Sequence, residues 1–328
     1  MTENWVVGVD LGGTTVKIAL LTLNGEIIEN WEIPTDNSDE GKNITKDIAK
    51  SVDEHLEKWN HAKSDVLGVG MGAPGPFDYE TGIIYNTVNL GWPDNFPLKE
   101  RLETELGLPV SIDNDANCAA LGEMWKGAGA GCKDLVCVTL GTGVGGGVIV
   151  NGQIVQGAKG AAGEIGHLTA VVENGALCNC GKTGCLETIA SATGIVRLAK
   201  EMLIEEMIDS ELQILLKKEG TFTAKDVFDA AKNNDKVAQD VIAFVASHLG
   251  LVLANIANTL NPQKIVLGGG VSKAGDVLLT PVKEDFQKYS FKSVAESTVI
   301  DVATLGNAAG VIGAAWLAKS KKLNSSVL

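Results

Sequence analysis

The sequence predicts an α/β fold built from two related halves. Apolar strands alternate with helical segments, and several strands end in glycine turns, which is the pattern of an α/β architecture. Residues 5–28 contain a strand, a glycine turn, a second strand and an Asn-Gly turn, and residues 135–155 repeat this plan. Asn-Gly between apolar strands is a strong hairpin signal. The repeat therefore predicts an internal duplication in which each half opens on a glycine-rich hairpin.

Length and charge limit the classes of protein that the chain can belong to. It has 328 residues, which suggests about two domains, and its 39 glycines follow no Gly-X-Y period, which excludes collagen. The 27 Lys and Arg against 41 Asp and Glu give a net charge of −14. An acidic protein repels phosphate backbones and anionic lipids, so we expect no nucleic-acid partner and no membrane partner.

The ends and the apolar runs of the chain predict a cytoplasmic protein. The first residues lack the basic stretch of a signal peptide. Continuous apolar runs such as 311–318 fall short of the roughly 20 residues that cross a bilayer. The six cysteines are too few for a disulfide scaffold in a chain of this length.

The remaining elements follow from apolar periodicity. Ile44, Ile48, Val52, Leu56 and Trp59 recur every three or four residues, which predicts a helix of about five turns. Buried strands are predicted at 66–71, 110–112 and 264–267. Residues 187–258 are predicted to be largely helical, with the charged run 198–240 as the exposed part. A helix of small residues is predicted at 306–316.

Three glycine turns at strand ends, at residues 10–14, 141–147 and 268–270, predict a phosphate site. Successive backbone N–H groups approach phosphate oxygens closely where no Cβ intervenes. A single such turn is more often a tight hairpin, but two equivalent turns in a duplicated framework favour a clamp for one polyphosphate. No P-loop occurs at these turns, and no Gly-x-Gly-x-x-Gly there is followed by a helix, which argues against a dinucleotide fingerprint. Asp10, at the end of the first strand, is a candidate to hold Mg²⁺ through water.

One imidazole and three thiols are grouped with the spacing of a metal site. His167, Cys178, Cys180 and Cys185 supply a full tetrahedral set for Zn²⁺, so the site is expected to be structural, with no position open for water. The spacing departs from paired Cys-x-x-Cys, and a redox role or ordinary loop cysteines remain alternatives. Cys118, Cys132 and Cys137 are interpreted as small buried or incidental residues.

Carboxylates follow the strand at 110–112 and flank the cysteine cluster. Asp113 and Asp115 are expected at the carboxyl end of a parallel strand, where ligands of open α/β sheets bind. Glu164, with His167, and Glu187 add donors and acceptors suited to a substrate rich in hydroxyls. The alternative is that Asp113 or Asp115 caps the helix from Ala116, and for Asp113 we favour that interpretation.

Taken together, these motifs resemble the ROK family (repressors, open reading frames and kinases), most closely its glucokinases from Gram-positive bacteria. The first phosphate motif is at 10–17, the second phosphate motif and the sugar signature are at 140–147 and 163–167, and the zinc motif is at 178–187. The resemblance covers nearly the whole chain and shows no departure at any motif position.

The resemblance implies a two-lobed hexokinase and actin-like (ribonuclease H-like) fold with an active site in a cleft. It implies a small lobe of residues 1–116 with the C-terminal helix 306–328, and a large lobe of 117–305 containing the zinc loop 167–187. The implied reaction moves the γ-phosphoryl group of MgATP to the 6-hydroxyl of glucose, and the implied assembly is a homodimer.

The resemblance also implies residue roles. Asp115 is the implied general base, and His167 uses one ring nitrogen for zinc and the other for the sugar. The implied sugar contacts are Gly72, Asn89, Asn114, Asp115, Glu164, His167 and Glu187. The implied nucleotide contacts are Asp10, Gly12, Gly13, Thr14, Lys17, Gly141, Thr142, Gly143, Gly269, Gly270 and Ser272.

Three alternatives accompany this interpretation. Another hexose (N-acetylmannosamine, fructose or allose) could replace glucose, because selectivity depends on a few contacts around one substituent. Polyphosphate could replace ATP as the donor. A sugar-responsive repressor is disfavoured, because the first phosphate motif begins at residue 10 and the net charge of −14 does not suit DNA.

Overall fold

A computed structural model describes residues 4–75, 77–85, 90–205 and 209–325. Asn89, one of the implied sugar contacts, therefore lies outside the described residues. The strands are β1 Trp5–Leu11, β2 Thr15–Thr22, β3 Ile27–Pro34, β4 Val66–Ala73, β5 Val110–Asn114, β6 Leu135–Leu140, β7 Val144–Val150, β8 Gln153–Ile154, β9 Lys264–Gly268 and β10 Val299–Val302. The helices are α1 Ile44–Lys58, α2 Leu98–Leu106, α3 Asp115–Lys126, α4 Glu187–Ala190, α5 Ala192–Glu205, α6 Glu211–Glu219, α7 Ala224–Lys232, α8 Lys236–Leu260, α9 Asp276–Tyr289, α10 Lys292–Ser297 and α11 Ala309–Ser325.

Two five-stranded sheets share one strand order. The first runs β3-β2-β1-β4-β5, and the second runs β10-β9-β6-β7-β8. When the second half is counted from β6, it has the order of the first half read from the other edge. In both sheets the first strand pairs in parallel with the fourth, as β1 with β4 and β6 with β9. The sheets thus have the internal duplication that the glycine hairpins predict.

The chain divides into two compact units. Unit 1 consists of Met1–Lys133, Gly147–Gly163 and Thr304–Leu328, and unit 2 consists of Asp134–Gly146 and Glu164–Ala303. The sequence predicted lobe boundaries at 116/117 and 305/306, which would put nearly all of α3 in the large lobe. In the structure α3 belongs to unit 1. The physical reason is that α3 packs along α11, and both helices cover the first sheet.

The core of unit 1 has one layer of helices on each face of the first sheet. On one face, β1, β2 and β4 bury apolar side chains against α1 and α2. On the other face α11 lies almost on the backbone, since a Cβ added at Gly70 would come within 1.7 Å of the Ala314 carbonyl oxygen. Close approach of this kind explains why the C-terminal helix is rich in Gly and Ala.

Helix α8 is the long apolar element of unit 2. By length and composition it could cross a membrane, with a mean hydropathy of 1.8, but 61% of its most apolar window is buried inside the protein. Its apolar residues are interrupted by polar ones, so a search for continuous apolar runs overlooks it. Burial on this scale is typical of a core helix.

Candidate active site

The carboxyl ends of three parallel strands bring predicted site residues of unit 1 to one sheet edge. Asp10 on β1 pairs with Gly72 on β4, and Gly72 pairs with Asp113 on β5. Asn114 is the last residue of β5, and Asp115 follows it as the first residue of α3. Open α/β sheets bind ligands at this edge, so the register places these predicted residues in a suitable position.

Asn114 is the residue that caps α3. Its side-chain oxygen accepts a hydrogen bond from the Ala116 N–H at 2.8 Å, and the Asp115 carboxylate accepts from the same N–H at 2.8 Å. The Asp115 side chain reaches solvent, yet the protein around it removes enough water to raise the pKa of its carboxyl group. A carboxylate at a helix N-terminus with a raised pKa is a chemically suitable proton acceptor.

The favoured interpretation of Asp113 as the helix cap is wrong. Its side chain is fully buried and accepts hydrogen bonds from Asn117 Nδ2 at 2.7 Å and Gln156 Nε2 at 2.8 Å. Burial raises the pKa of the Asp113 carboxyl, and these hydrogen bonds oppose the shift. Asp113 therefore joins β5 to α3 and to residue 156, a contact 43 positions away that no local pattern predicts.

Asp10 lies between a cation and two helices. Burial raises the pKa of its carboxyl, the Lys17 charge across the β1–β2 ladder lowers it, and the Asp115 charge raises it further. A side chain at Gly310 of α11 would lie 2.7 Å from this carboxylate. Cys118 is fully buried, and burial near Asp113, Asp10 and Asp115 raises its thiol pKa, as expected for an inert core cysteine.

The first glycine turn directs its carbonyl groups to one side. Gly12 O accepts from Thr35 Oγ1 at 2.7 Å, Gly13 O accepts from Asn37 Nδ2 at 2.8 Å, and Thr14 O accepts from Thr35 N at 2.9 Å. Because the N–H and C=O of a peptide point in opposite directions, carbonyls held this way turn the N–H groups of Gly13 and Thr14 toward the other side, while the Gly12 N–H donates to Thr15 O at 3.0 Å. That is the orientation an anion site requires.

The second glycine turn, between β6 and β7, is held in the same way. Gly141 O accepts from the Ala192 N–H at 2.8 Å, and Thr142 O accepts from Thr193 Oγ1 at 2.9 Å. Gly141 N also donates to Gly143 O at 2.9 Å, which closes the turn. Both halves of the duplication thus carry a turn whose carbonyls are occupied by the protein.

The third glycine turn follows β9, beside the end of β6. Thr139 pairs with Gly268, and Gly269 has φ +84°, with its Cα so close to the Leu140 carbonyl that no side chain fits. Ser272 is buried, and its hydroxyl donates to Gly269 O at 2.8 Å. The structure therefore gives Ser272 a role in holding this turn, and a direct nucleotide contact stays a prediction.

A cavity of about 600 Å³ opens in unit 2 between the second and third glycine turns. Its apolar lining includes Phe228 and Val271, and its rim carries Lys225 and Lys232, which both form ion pairs with Asp229. The lining consists of Gly141, Thr142, Ala192, Thr223, Ala224, Lys225, Phe228, Asp229, Lys232, Gly270, Val271, Lys273 and Ala274. The sequence placed α7 in an exposed charged run, and only the fold shows that this helix forms a wall of the cavity.

The predicted zinc ligands lie together in unit 2. One ligand atom from each of His167, Cys178, Cys180 and Cys185 lies within 4.8 Å of all the others. Cys178 Sγ is 3.6 Å from His167 Nδ1, and Cys180 Sγ is 3.6 Å from Cys185 Sγ. His167 Nε2 is 3.9 Å from Glu164 Oε2, so the two ring nitrogens serve different neighbours.

Glu187 has a second connection that the sequence did not reveal. Its Oε2 accepts from the N–H of Val144, the first residue of β7, at 2.9 Å, and Cys178 Sγ lies 3.8 Å from its Oε1. The carboxylate therefore joins the cysteine cluster to the start of β7. The partner is 43 positions away along the chain, and no spacing rule relates the two.

The chain is similar to known proteins along nearly its whole length. The sequence profile of the ROK family matches residues 6–321. The chain is 56% identical over 322 residues to a glucokinase of Halalkalibacterium halodurans, covering 98% of this chain and 97% of the relative. It is 35% identical to a glucokinase of Thermotoga maritima, with 96% and 98% covered. The solved structure of a ROK family glucokinase from Streptomyces griseus in complex with glucose and AMPPNP has a TM-score of 0.75 at 35% identity, covering 97% of this chain and all of that one.

These likenesses confirm two expectations from the sequence. The α/β architecture is of the hexokinase and actin-like class, with one five-stranded sheet of the same strand order in each half. The resemblance carried by the motifs at 10–17, 140–147, 163–167 and 178–187 is also confirmed. The chain belongs to the ROK family.

Proposed function

We propose that this chain is an ATP-dependent glucokinase, which converts glucose and MgATP into glucose 6-phosphate and ADP. One observation carries the proposal: Asp115 begins α3 at the same sheet edge at which Asp10 adjoins a glycine turn with outward-facing donors. Glucose is favoured as the acceptor because relatives at 56% and 35% identity are glucokinases, and a similar ROK family glucokinase was solved with glucose and AMPPNP.

Asp115 is the proposed general base. The 6-hydroxyl oxygen of the sugar forms a bond to the γ-phosphorus, its proton passes to the Asp115 carboxylate, and the bond from phosphorus to ADP breaks. A raised pKa makes this carboxylate a stronger proton acceptor than an ordinary aspartate. Phosphoryl transfer otherwise depends on positioning and on stabilisation of charge.

Backbone groups are the proposed means of binding the donor phosphates. In unit 1 we assign Asp10, Gly12, Gly13, Thr14 and Lys17 to the phosphates and the magnesium ion. In unit 2 we assign Gly141, Thr142, Gly143, Gly269, Gly270 and Ser272 to the nucleotide. Mg²⁺ bound with ATP neutralises phosphate charge, and the Asp10 carboxylate offers the oxygen ligands that it prefers. A net charge of −14 agrees with affinity that arises from amides and Mg²⁺ more than from lysines.

The cavity of unit 2 is the proposed nucleoside site, which gives a test by steric filling. Gly270 lines the cavity with φ −63°, and a Cβ added there meets no atom within 4 Å. We expect Gly270→Phe to raise the KM for ATP about tenfold or more, which is about 1.4 kcal/mol, while the KM for glucose changes little.

Steady-state kinetics with Gly270→Ala, Gly270→Val and Gly270→Phe provide the graded comparison. The KM for ATP should rise with side-chain size, and polyphosphate, if it is a donor, should be unaffected because it has no nucleoside. An unchanged KM for ATP in Gly270→Phe would place the nucleoside elsewhere.

The sugar contacts are proposed for each unit separately. In unit 1 these are Gly72, Asn114 and Asp115, together with Asn89, and in unit 2 they are Glu164, His167 and Glu187. Carboxylates, an amide and an imidazole are the mixture of acceptors and donors that a substrate with several hydroxyls requires. Their support in the structure is the shared strand edge in unit 1 and the 3.9 Å approach of His167 to Glu164 in unit 2.

A panel of hexoses tests the substrate. With ATP as donor, we expect kcat/KM for glucose to exceed that for N-acetylmannosamine, fructose and allose by at least about tenfold, since polar contacts to single hydroxyls discriminate strongly. A coupled assay for ADP measures each ratio. A higher kcat/KM for one of the other sugars would keep the kinase chemistry and replace glucose as the substrate.

A structural Zn²⁺ is proposed for the four-residue cluster. A tetrahedral ion with Zn–S bonds of about 2.3 Å would separate two sulfur ligands by about 3.8 Å. The 3.6 Å between Cys180 Sγ and Cys185 Sγ fits this value, and four protein ligands leave no position for a reactive water.

We also propose that the protein is a cytoplasmic homodimer, on the basis of its resemblance to the family.

A further inference from the structure

We propose that Glu123 is a positioning residue for phosphoryl transfer, because its carboxylate helps to hold α11, which packs against Asp10, in place along α3, which begins with Asp115. The inference rests on the proposed function, which assigns those two carboxylates to the donor and to the acceptor proton. No step of the reaction described above uses Glu123 itself.

The Glu123 carboxylate is held entirely inside unit 1. The residue is 1% exposed and lies in the third turn of α3. Its Oε1 accepts from the Leu305 N–H at 2.9 Å, and its Oε2 accepts from the Ala128 N–H at 2.8 Å and the Thr304 N–H at 3.2 Å. A buried carboxylate is costly unless hydrogen bonds replace its water, and backbone N–H groups bind a charged acceptor strongly.

These hydrogen bonds connect the end of α3 and the turn after it with a distant segment, Thr304 and Leu305. Ala128 belongs to the turn that follows α3, and Thr304 and Leu305 precede the short turn that leads into α11. The Glu123 carbonyl also accepts from the Gly127 and Gly129 N–H groups, so both ends of the residue hold the turn after α3. Glu123 thus connects the C-terminal part of α3 to the segment that precedes α11.

The contact between α3 and α11 is mostly a contact between backbones at the positions nearest Glu123. The helices meet through glycines: a Cβ added at Gly122 would lie 2.2 Å from Ala309 O, and one added at Gly313 would lie 1.6 Å from Cys118 O. Backbones in contact present few side-chain ridges and grooves, and those features normally fix how far one helix is displaced along another. Two of the hydrogen bonds of Glu123, from Thr304 and Leu305, add such a constraint to the ring contact of Trp125 on α3 with Trp316 on α11.

The displacement matters because α3 begins with one of the two carboxylates, Asp115, and α11 packs against the other, Asp10, which β1 carries. Asp115 is the first residue of α3, two turns before Glu123. Gly310, in the first turn of α11, faces the Asp10 carboxylate so closely that a side chain there would lie 2.7 Å from it. A shift of α11 along α3 would therefore move the surroundings of Asp10 relative to Asp115. Displacements of about 1 Å can cost a reaction about a hundredfold in rate.

Glu123→Gln tests the proposal. The amide keeps the shape of the side chain, but its NH₂ group faces N–H donors and cannot accept from them. We expect kcat for glucose phosphorylation to fall about ten- to hundredfold and the Mg²⁺ concentration for half-maximal rate to rise. Glucose affinity, measured by calorimetry, should change less than about twofold. Glu123→Asp, which keeps the charge on a shorter side chain, should recover part of kcat.

Asp235→Asn is the matched control for lost stability. Asp235 is a buried carboxylate of unit 2 that accepts from the Ala238 N–H at 3.0 Å and the Glu211 N–H at 2.6 Å, so its substitution breaks the same kind of bond. It should lower Tm and leave kcat and the Mg²⁺ dependence near those of the parent protein. If Glu123→Gln fails to fold, the same comparison is made with Glu123→Asp.

The outcomes separate this proposal from the proposed function. If the parent protein does not phosphorylate glucose, the proposed function is wrong. If the parent is active, two results would each contradict the positioning role: Glu123 variants that lose no more kcat than Asp235→Asn, or Glu123 variants that lose glucose affinity in proportion to kcat. Neither result would contradict the proposed function.

Discussion

Asp115→Asn is expected to lower kcat for glucose phosphorylation by about 10²–10⁴-fold while glucose still binds. The amide oxygen can keep the hydrogen bond from the Ala116 N–H, so the start of α3 is preserved. What the substitution removes is the ability to take the proton from the sugar hydroxyl. Single-turnover kinetics with ATP, together with calorimetry for glucose, separate the chemical step from binding.

The matched control for this substitution is Asp276→Asn. Asp276 is also an exposed aspartate at the first position of a helix, α9, and it lies in unit 2 outside the cavity lining. It should leave kcat within about twofold of the parent value, since it removes the same charge without removing the base. Undiminished turnover in Asp115→Asn would remove Asp115 from the role of general base.

The stability of Asp115→Asn provides a check on misfolding. Because burial raises the Asp115 pKa, the folded state holds this proton more tightly than the unfolded state does. The ionised carboxylate therefore opposes folding at neutral pH, and this opposition disappears as pH falls through the folded pKa. Asparagine removes it at every pH, so Tm at pH 7 should not be lower than that of the parent protein.

The same shift predicts the acid side of the pH–rate profile. Protonated Asp115 cannot accept the proton of the sugar, so kcat should fall as pH decreases through its pKa. The fall should begin above the pH range of an ordinary aspartate, whose pKa is about 3.9, because burial raises the Asp115 pKa. An acid limb at or below that ordinary range would contradict the assignment.

Local patterns were sufficient to predict the parts of this protein that depend on neighbours in sequence. The helix begun by Ile44, the Asn-Gly hairpin turns and the cysteine cluster all depend on residues a few positions apart. The duplication was visible because two such local units repeat, and the two sheets have the strand order that it implies.

The contacts that the sequence did not reveal join distant residues. Asp113 was misinterpreted as a cap because its partner Gln156 is 43 positions away, while the true cap, Asn114, was adjacent to it. The wall that α7 contributes to the cavity, and the bonds from Glu123 to residues 304 and 305, exist only once the chain has folded. Polar side chains in helices with ordinary local surroundings give no signal of such partners.

Cys180→Ala is expected to remove the metal and, with it, most of the affinity for glucose. Three ligands remain in the variant, but a structural zinc site depends on its complete tetrahedral set, whose binding is worth roughly 10–16 kcal/mol in small zinc modules. The parent protein should contain one zinc ion per chain by elemental analysis. Cys132→Ala, which changes a cysteine outside the cluster, should keep both the metal and the glucose affinity.

The loss of sugar binding follows from what the cluster holds in place. His167 presents Nδ1 to Cys178 and Nε2 toward Glu164, so a metal on Nδ1 would fix the ring that faces a proposed sugar contact. Glu187 lies beside Cys178 and also accepts from the Val144 N–H at the start of β7. Without the metal, these side chains lose their common support, and the KM for glucose should rise about a hundredfold or more. Zinc-free parent protein, or a Cys180→Ala variant that binds glucose normally, would show that the cluster does not order the sugar site.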